Sequence, residues 1–175
     1  NIIKDGLPKE MRDVDFLYGE APWPKGFKIF NERAGAEEAS YKDLGIALER
    51  AIVSTEKPFY LILGKTLLRN LPDPEDIAMT RLNGNEALLA TWNGSCPVGT
   101  TNDGKKEYKT LMFGMDVKRF MFLLGSQYNS IGDFFCGYGS SVRAFLKGGG
   151  KRYVASDLNG ECVTVMKKAM DINNL

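Results

Sequence analysis

The sequence predicts an α/β fold, a doubly wound and mostly parallel sheet of Rossmann-like type, and three observations predict it. Strand-like and helix-like segments alternate from a strand ending near Phe135 to a last helix holding Met170, the pattern of a parallel sheet covered on both faces. The run Phe59-Tyr60-Leu61-Ile62-Leu63-Gly64 has the length and the aromatic and aliphatic content of a central strand. A Gly-x-Gly turn, Gly137-Tyr138-Gly139, falls between a strand and a helix, and ligands of such sheets sit beyond the carboxyl ends of the strands.

Taken in order, Asn1–Lys4, closed by Asp5-Gly6, and Val14–Tyr18, closed by Gly19-Glu20, read as short buried strands. Ser40-Tyr41-Lys42-Asp43 has capping-box spacing, and Tyr41, Leu44, Leu48, Ala51 and Ile52 follow at helical intervals, which predicts a helix from about Tyr41 to Ser54. Pro58 opens the central strand. From Pro72 to Thr110 the periodicity breaks up around Pro72-Asp73-Pro74 and the turn signals Asn83-Gly84 and Asn93-Gly94, predicting short strands and loops. Within it, Gly99–Lys106 lacks an apolar anchor to offset the entropy of ordering and is expected to be mobile. Asp116 then caps a helix with Val117, Phe120, Met121, Leu124 and Tyr128 on one stripe. A strand ending near Phe135, the Gly-rich turn, a helix holding Val142, Phe145 and Leu146, a strand Arg152–Ala155 and a helix holding Val163, Met166 and Met170 complete a βαβα unit. No repeat or low-complexity linker divides the chain, so residues 1–175 read as one domain.

Composition excludes several classes of function. The absence of histidine removes Ser-His-Asp and Cys-His nucleophile systems, histidine metal sites and the commonest general base. Cys96, Cys136 and Cys162 cannot all pair and lack metal-ligand spacing, so neither a disulfide scaffold nor a metal site is expected. Cys96 reads as a loop cysteine and Cys136 as a small packing residue. No apolar run approaches the roughly 20 residues of a membrane span and no secretory signal is visible, which predicts a cytoplasmic protein without membrane contact. A formal charge of +1 leaves nucleic-acid binding open, since binding depends on local patches, and Lys65, Arg69, Lys105, Lys106 and Lys109 are scattered candidates for phosphate contact.

The strongest motif is Asp133-Phe134-Phe135-Cys136-Gly137-Tyr138-Gly139-Ser140, with Asp157 ending the next strand. A Gly-x-Gly turn alone marks a tight turn and a helix start, but the coupled acid adds an acceptor for both hydroxyls of a ribose. Two departures from the dinucleotide fingerprint point away from a pyrophosphate. Val142 stands where close helix packing would need glycine, and Asp133 sets a negative charge before the turn, which suits an α-amino group. Together they favour S-adenosylmethionine over NAD.

These residues resemble the cofactor motif of S-adenosylmethionine-dependent amino-methyltransferases, in which a strand leads into Asp-x-Phe-x-Gly-x-Gly. The resemblance implies cofactor binding by Asp133, Phe134, Phe135, Cys136, Gly137 and Gly139, and by Asp157 and Leu158 at the ribose. Asp116-Val117-Lys118-Arg119 is similar to the segment upstream of that motif and adds Lys118. Asn1–Leu7 resembles the strand whose acidic end, here Asp5, lies by the adenine ring. Val14–Pro24 resembles the strand leading to the family's Asp-Pro-Pro-Tyr/Trp catalytic motif, which makes Glu20, Ala21, Pro22 and Trp23 the catalytic candidates. Catalytic motif first and cofactor motif last is the permuted order of beta-class DNA amino-methyltransferases, adenine-N6 type, and the resemblance implies that 72–110, which lies where they keep target recognition, is a short insert of that kind. DNA is the implied partner, with RNA as an alternative, and a monomer or homodimer the implied assembly.

An exocyclic amine is a poor nucleophile because its lone pair is delocalised into the ring. A side-chain acceptor and a backbone carbonyl can hold its hydrogens while an aromatic ring stacks the flipped base. Glu20 is the acceptor expected here, a carbonyl near Ala21 or Pro22 the second, and Trp23 the platform. Glu20 is one methylene longer than the usual Asp, and Ala21 replaces the first Pro and loosens the loop. Cytosine-N4 enzymes usually begin this motif with Ser, so adenine N6 is the expected target. The alternatives are a non-catalytic subunit of the same fold and methylation of RNA or a protein amide.

Overall fold

In the computed structural model, which describes residues 2–35, 39–82, 85–95, 109–110 and 117–172, the chain opens with α1 (Ile2–Asp5), β1 (Phe16–Glu20), α2 (Pro24–Arg33), α3 (Tyr41–Val53) and β2 (Phe59–Leu63). It continues through α4 (Lys65–Leu68), β3 (Asp76–Leu82), β4 (Asn85–Trp92) and β5 (Lys109–Thr110). It closes with α5 (Val117–Gln127), β6 (Ser130–Asp133), α6 (Ser140–Lys147), β7 (Arg152–Ala155) and α7 (Gly160–Ile172). The strands form one sheet in the order β5-β3-β4-β2-β1-β6-β7. β1 pairs in parallel with β2 and β6, and β6 with β7, while β4 runs antiparallel between β2 and β3.

The sheet is covered on both sides, as a doubly wound fold requires. On β2, Phe59, Leu61 and Leu63 face a cluster with Leu44, Leu48, Ala51 and Ile52 of α3, whereas Tyr60 and Ile62 face Phe120, Met121 and Leu124 of α5 and Phe145 of α6. α3 begins with the expected capping box: the Asp43 backbone N–H donates to Ser40 Oγ (3.1 Å) and the Ser40 N–H to Asp43 Oδ2 (2.8 Å).

The sheet has its topological switch point between β1 and β6. From β1 the chain crosses by α2 and α3 to β2 on one side, and from β6 by α6 to β7 on the other. The loops leaving β1 and β6 therefore diverge from adjacent strand ends and leave a crevice between them. The register that fixes their relative height, Leu17 opposite Gly132 and Tyr18 opposite Asp133, is fastened at the other edge by Asp15. Its Oδ2 accepts from the N–H groups of Asn129 (2.7 Å) and Ser130 (2.9 Å), and its own N–H donates to Ser130 Oγ (2.9 Å).

Three expectations are corrected, and one helix was missed. The segment expected as a first strand is the helix α1, closed by a bond from the Gly6 N–H to the Ile2 carbonyl (3.1 Å); Ile2 and Ile3 pack on the α3 cluster, and so short a run carries no period to tell strand from helix. β1 starts and ends two residues later than expected, so Glu20 is its last residue rather than part of a closing turn. The interval 72–110 holds the long antiparallel pair β3 and β4 within the main sheet. α2 was not expected at all, because its buried face holds only Phe27 and Asn31. Asp116, Cys96 and the loop 99–106 lie outside the described residues. Among the described residues no helix is long and apolar enough to cross a membrane, and no group of side chains could hold a metal ion.

Candidate active site

β6 ends on Asp133, which is 1% exposed and accepts from the Phe135 N–H at 3.2 Å. The chain then turns sharply. Ser156 N–H donates to the Asp133 carbonyl (2.8 Å) and Cys136 N–H to the Ser156 carbonyl (3.0 Å), lacing the turn to the end of β7. Gly139 N–H donates to the Cys136 carbonyl at 2.7 Å and closes it. Gly139 sits at φ +75, and a side chain there would also run into Met166 of α7, so only glycine fits. Asp157 completes the arrangement: its Oδ2 accepts from the Gly137 N–H (2.8 Å) and its Oδ1 from the Asn159 N–H (2.9 Å). Asp157 lies two residues past the end of β7, and its pairing with the Gly-x-Gly turn is a direct hydrogen bond.

Across the switch point, Glu20 Oε1 accepts from Tyr18 Oη (2.8 Å) and from Ser141 Oγ (2.7 Å), so the carboxylate bridges β1 to the first turn of α6. Its other oxygen carries no such bond among the described residues. Ala21 is buried and its N–H donates to the Ile62 carbonyl (2.8 Å), extending the β1–β2 pairing. The Pro22 carbonyl accepts from Tyr41 Oη at 3.1 Å. Trp23 precedes α2, which Pro24 opens at its first position, and its indole lies on Gly64 at the end of β2. A Cβ on Gly64 would come within 2.7 Å of the ring, which remains 39% exposed. The rings of Phe134 and Phe135 lie against β1 at Gly19.

The structure therefore gathers Glu20, Ala21, Pro22 and Trp23 with Asp133–Gly139 and Asp157 at one edge of the sheet. Leu158 follows Asp157 and is exposed. Lys118 is exposed on α5 and lines a cavity of about 390 Å³ that reaches Ser140 at the start of α6. Asp5 is not brought to this edge. It lines a separate cavity of about 850 Å³ with Arg50 and Ser54 at the end of α3 and Lys57 before β2, where β2 begins rather than ends. Sequence reasoning missed Tyr18, Ser141, Tyr41 and Gly64 as parts of the site; Ser141, directly behind the Gly-rich turn, carried no signal beyond a helix start.

Burial, and then the neighbouring Glu20 charge, hold the Asp133 carboxyl well above the usual carboxylate range, against the opposing pull of the Phe135 N–H. Burial, then Glu20 and Asp133, likewise push the Tyr18 hydroxyl up. Burial also pushes up the Cys136 thiol, which packs with Val142, Met166 and Met170 as a neutral side chain. For Asp133 the folded protein keeps a proton that the unfolded chain has already released. Stability therefore falls as pH rises from about 4, the unfolded value, to the higher folded one. Asp133→Asn keeps the acceptor for the Phe135 N–H and removes this loss. Thermal melts should show the variant more stable than the parent at neutral pH, with the gap closing towards pH ~4; an equal gap at every pH would contradict the assignment.

Neither a family model nor a curated protein matches the sequence. Solved structures do. M1.HpyAVI matches at 15% identity over 98% of this chain and 94% of its own, with a TM-score of 0.52. The M1.HpyAVI–SAM complex matches at 13% identity over 97% and 94%, with a TM-score of 0.54. TTHA0409 from Thermus thermophilus, a candidate DNA modification methylase, matches at 8% identity over 93% and 88%, with a TM-score of 0.55. The chain has the Rossmann-like α/β fold of these proteins.

Proposed function

We propose that this chain transfers a methyl group from S-adenosylmethionine to an exocyclic amine of a DNA base, adenine N6 in first place, as a beta-class enzyme with permuted motif order. The observation that carries the reading is Glu20, a carboxylate anchored by Ser141 at the switch point, directly across from the Gly-rich turn and Asp157. The fold neighbours support it: M1.HpyAVI was solved as a complex with SAM, and TTHA0409 is named for DNA modification.

The residues present fit the cofactor. Space is open beside Gly137, where a Cβ would meet nothing within 4 Å. Asp157 uses one lone pair of each oxygen on the backbone and retains others for two ribose hydroxyls. Phe135 and the exposed Leu158 offer apolar faces for a purine, and Lys118 a cation for a carboxylate. Burial pushes the Asp133 carboxyl above the usual carboxylate range, and an ammonium placed beside it would favour its charged form. The cofactor, when bound, supplies a methyl group on a positively charged sulfur. The chain's own part is to hold the amine: Glu20 takes one of its hydrogens through the oxygen that Tyr18 and Ser141 leave free, and Trp23 fixes the plane of the base from its seat on Gly64. The Ala21 carbonyl is the better second acceptor, since Tyr41 already donates to that of Pro22. The bond on the Pro22 carbonyl, together with Glu20 and Ala21 in place of the usual Asp and Pro, favours the second reading, a non-catalytic subunit.

Labelled methyl transfer to unmodified DNA, RNA and protein in parallel, followed by digestion to nucleosides, tests the proposal. Label in N6-methyldeoxyadenosine is the expected result. Label in N4-methylcytosine changes the base, label confined to RNA or protein changes the substrate, and no label despite normal cofactor binding leaves the non-catalytic reading.

A further inference from the structure

The groove between α5 and α6 collects positive charge out of proportion to the chain. The protein carries 23 basic and 22 acidic residues, yet the cavity of about 390 Å³ between these helices is lined by Lys118, Arg119, Arg143 and Lys147, with no acidic side chain among the described residues. Lys118, Arg119, Lys147 and the ring of Phe122 are exposed, so the charge faces solvent. Arg143 is aimed: its Nη1 donates to the Tyr138 carbonyl at 2.7 Å, which ties the guanidinium to the Gly-rich turn while its other N–H groups remain available. Arg143 and Lys147 lie one turn apart on α6, about 6 Å along the axis, a spacing comparable with that of successive phosphates on a strand. At its upper end the groove reaches Ser140, which directly follows Gly139.

We infer that this groove is a docking surface for the phosphodiester backbone of a nucleic acid, with Arg119, Arg143 and Lys147 as its phosphate contacts. Such contacts carry no base sequence and set position and affinity. The inference rests on the proposed function to this extent: a strand that delivers a base to Trp23 brings its charged backbone to the same edge of the sheet. It goes beyond that function by placing the backbone on the α5–α6 side rather than over the insert between β2 and α5.

Binding of short fluorescein-labelled DNA duplexes of two unrelated sequences, and of a single-stranded RNA, is followed by anisotropy over a range of salt concentrations. The proteins compared are the parent chain, Arg119→Ala, Lys147→Ala and the double variant, each with its melting midpoint and S-adenosylmethionine affinity measured alongside. Each substitution is expected to reduce the slope of log affinity against log salt by about 1, and the double variant by about 2, equally for both sequences and with cofactor affinity unchanged. Lys147→Ala alone decides the matter if Arg119→Ala lowers the melting midpoint. Parent binding with an unaltered slope in the folded variants overturns the groove and leaves the methyltransferase reading intact. Loss of slope on RNA with no binding of DNA upholds the groove and overturns DNA as the substrate. A parent chain that binds cofactor but no nucleic acid overturns both.

Discussion

Glu20→Ala is expected to lower methyl transfer by roughly 10²–10⁴-fold, the usual contribution of a positioned proton-accepting group, while S-adenosylmethionine affinity stays within about twofold of the parent. The carboxylate stands at the end of β1, and two donors on one oxygen fix its rotamer, so its removal leaves the Gly-rich turn untouched. Ser141→Ala removes one of those donors and should cost less, about 10-fold, with most of the change in kcat, because the Tyr18 hydroxyl still holds the same oxygen. Trp23→Ala should also abolish most transfer. Stacking on an aromatic ring is worth about 1–3 kcal/mol per base, and the ring additionally sets the plane of the amine, so alignment suffers more than affinity. Steady-state transfer to DNA paired with calorimetric cofactor binding measures both quantities. A Glu20→Ala protein with near-parental kcat would remove Glu20 from the mechanism.

Asp157→Ala should weaken cofactor binding by about 1.5–3 kcal/mol, on the order of 10- to 150-fold, as expected for hydrogen bonds to a charged group. The loss has two origins. The ribose acceptors disappear, and the N–H groups of Gly137 and Asn159, which now end on the two carboxylate oxygens, lose their acceptor, so the turn loosens. Asp157→Asn keeps one acceptor oxygen and should fall between the two. Calorimetry with S-adenosylhomocysteine checks the series; equal affinity for all three proteins would place the ribose elsewhere.

The parts of this fold that were legible in the sequence are those whose signals are local. The capping box at Ser40 and the apolar stripe behind it specify α3 almost to its ends, and the aromatic and aliphatic content of Phe59–Leu63, bounded by Pro58 and Gly64, marks a central strand. The coupling of Gly137 to Asp157 was legible too, because strand, turn, helix and strand follow one another along the chain. What stayed hidden depends on distant partners. Ser141 is an ordinary helix-start serine until Glu20, 121 positions away, is brought to it. α1 is a helix because α3 offers a surface, and β3 and β4 are long because the main sheet offers an edge. The acidic residue expected from the misread first strand went astray with it: with no strand at Ile2–Asp5, nothing carries Asp5 to the reacting edge.

The Asp15 fastening bears on the order in which the molecule comes together. Asp15 and Ser130 are 115 positions apart, and the two strands they lock are direct neighbours. Joining them closes a long loop, whose entropy must be lost before any contact across the seam offsets it. The turn from β6 to β7, by contrast, is laced by bonds between near neighbours and closes a much shorter loop. The loop after β1 and the Gly-rich turn after β6 therefore meet only when the seam shuts, so a chain emerging from synthesis carries both halves of the proposed site well before it can assemble them.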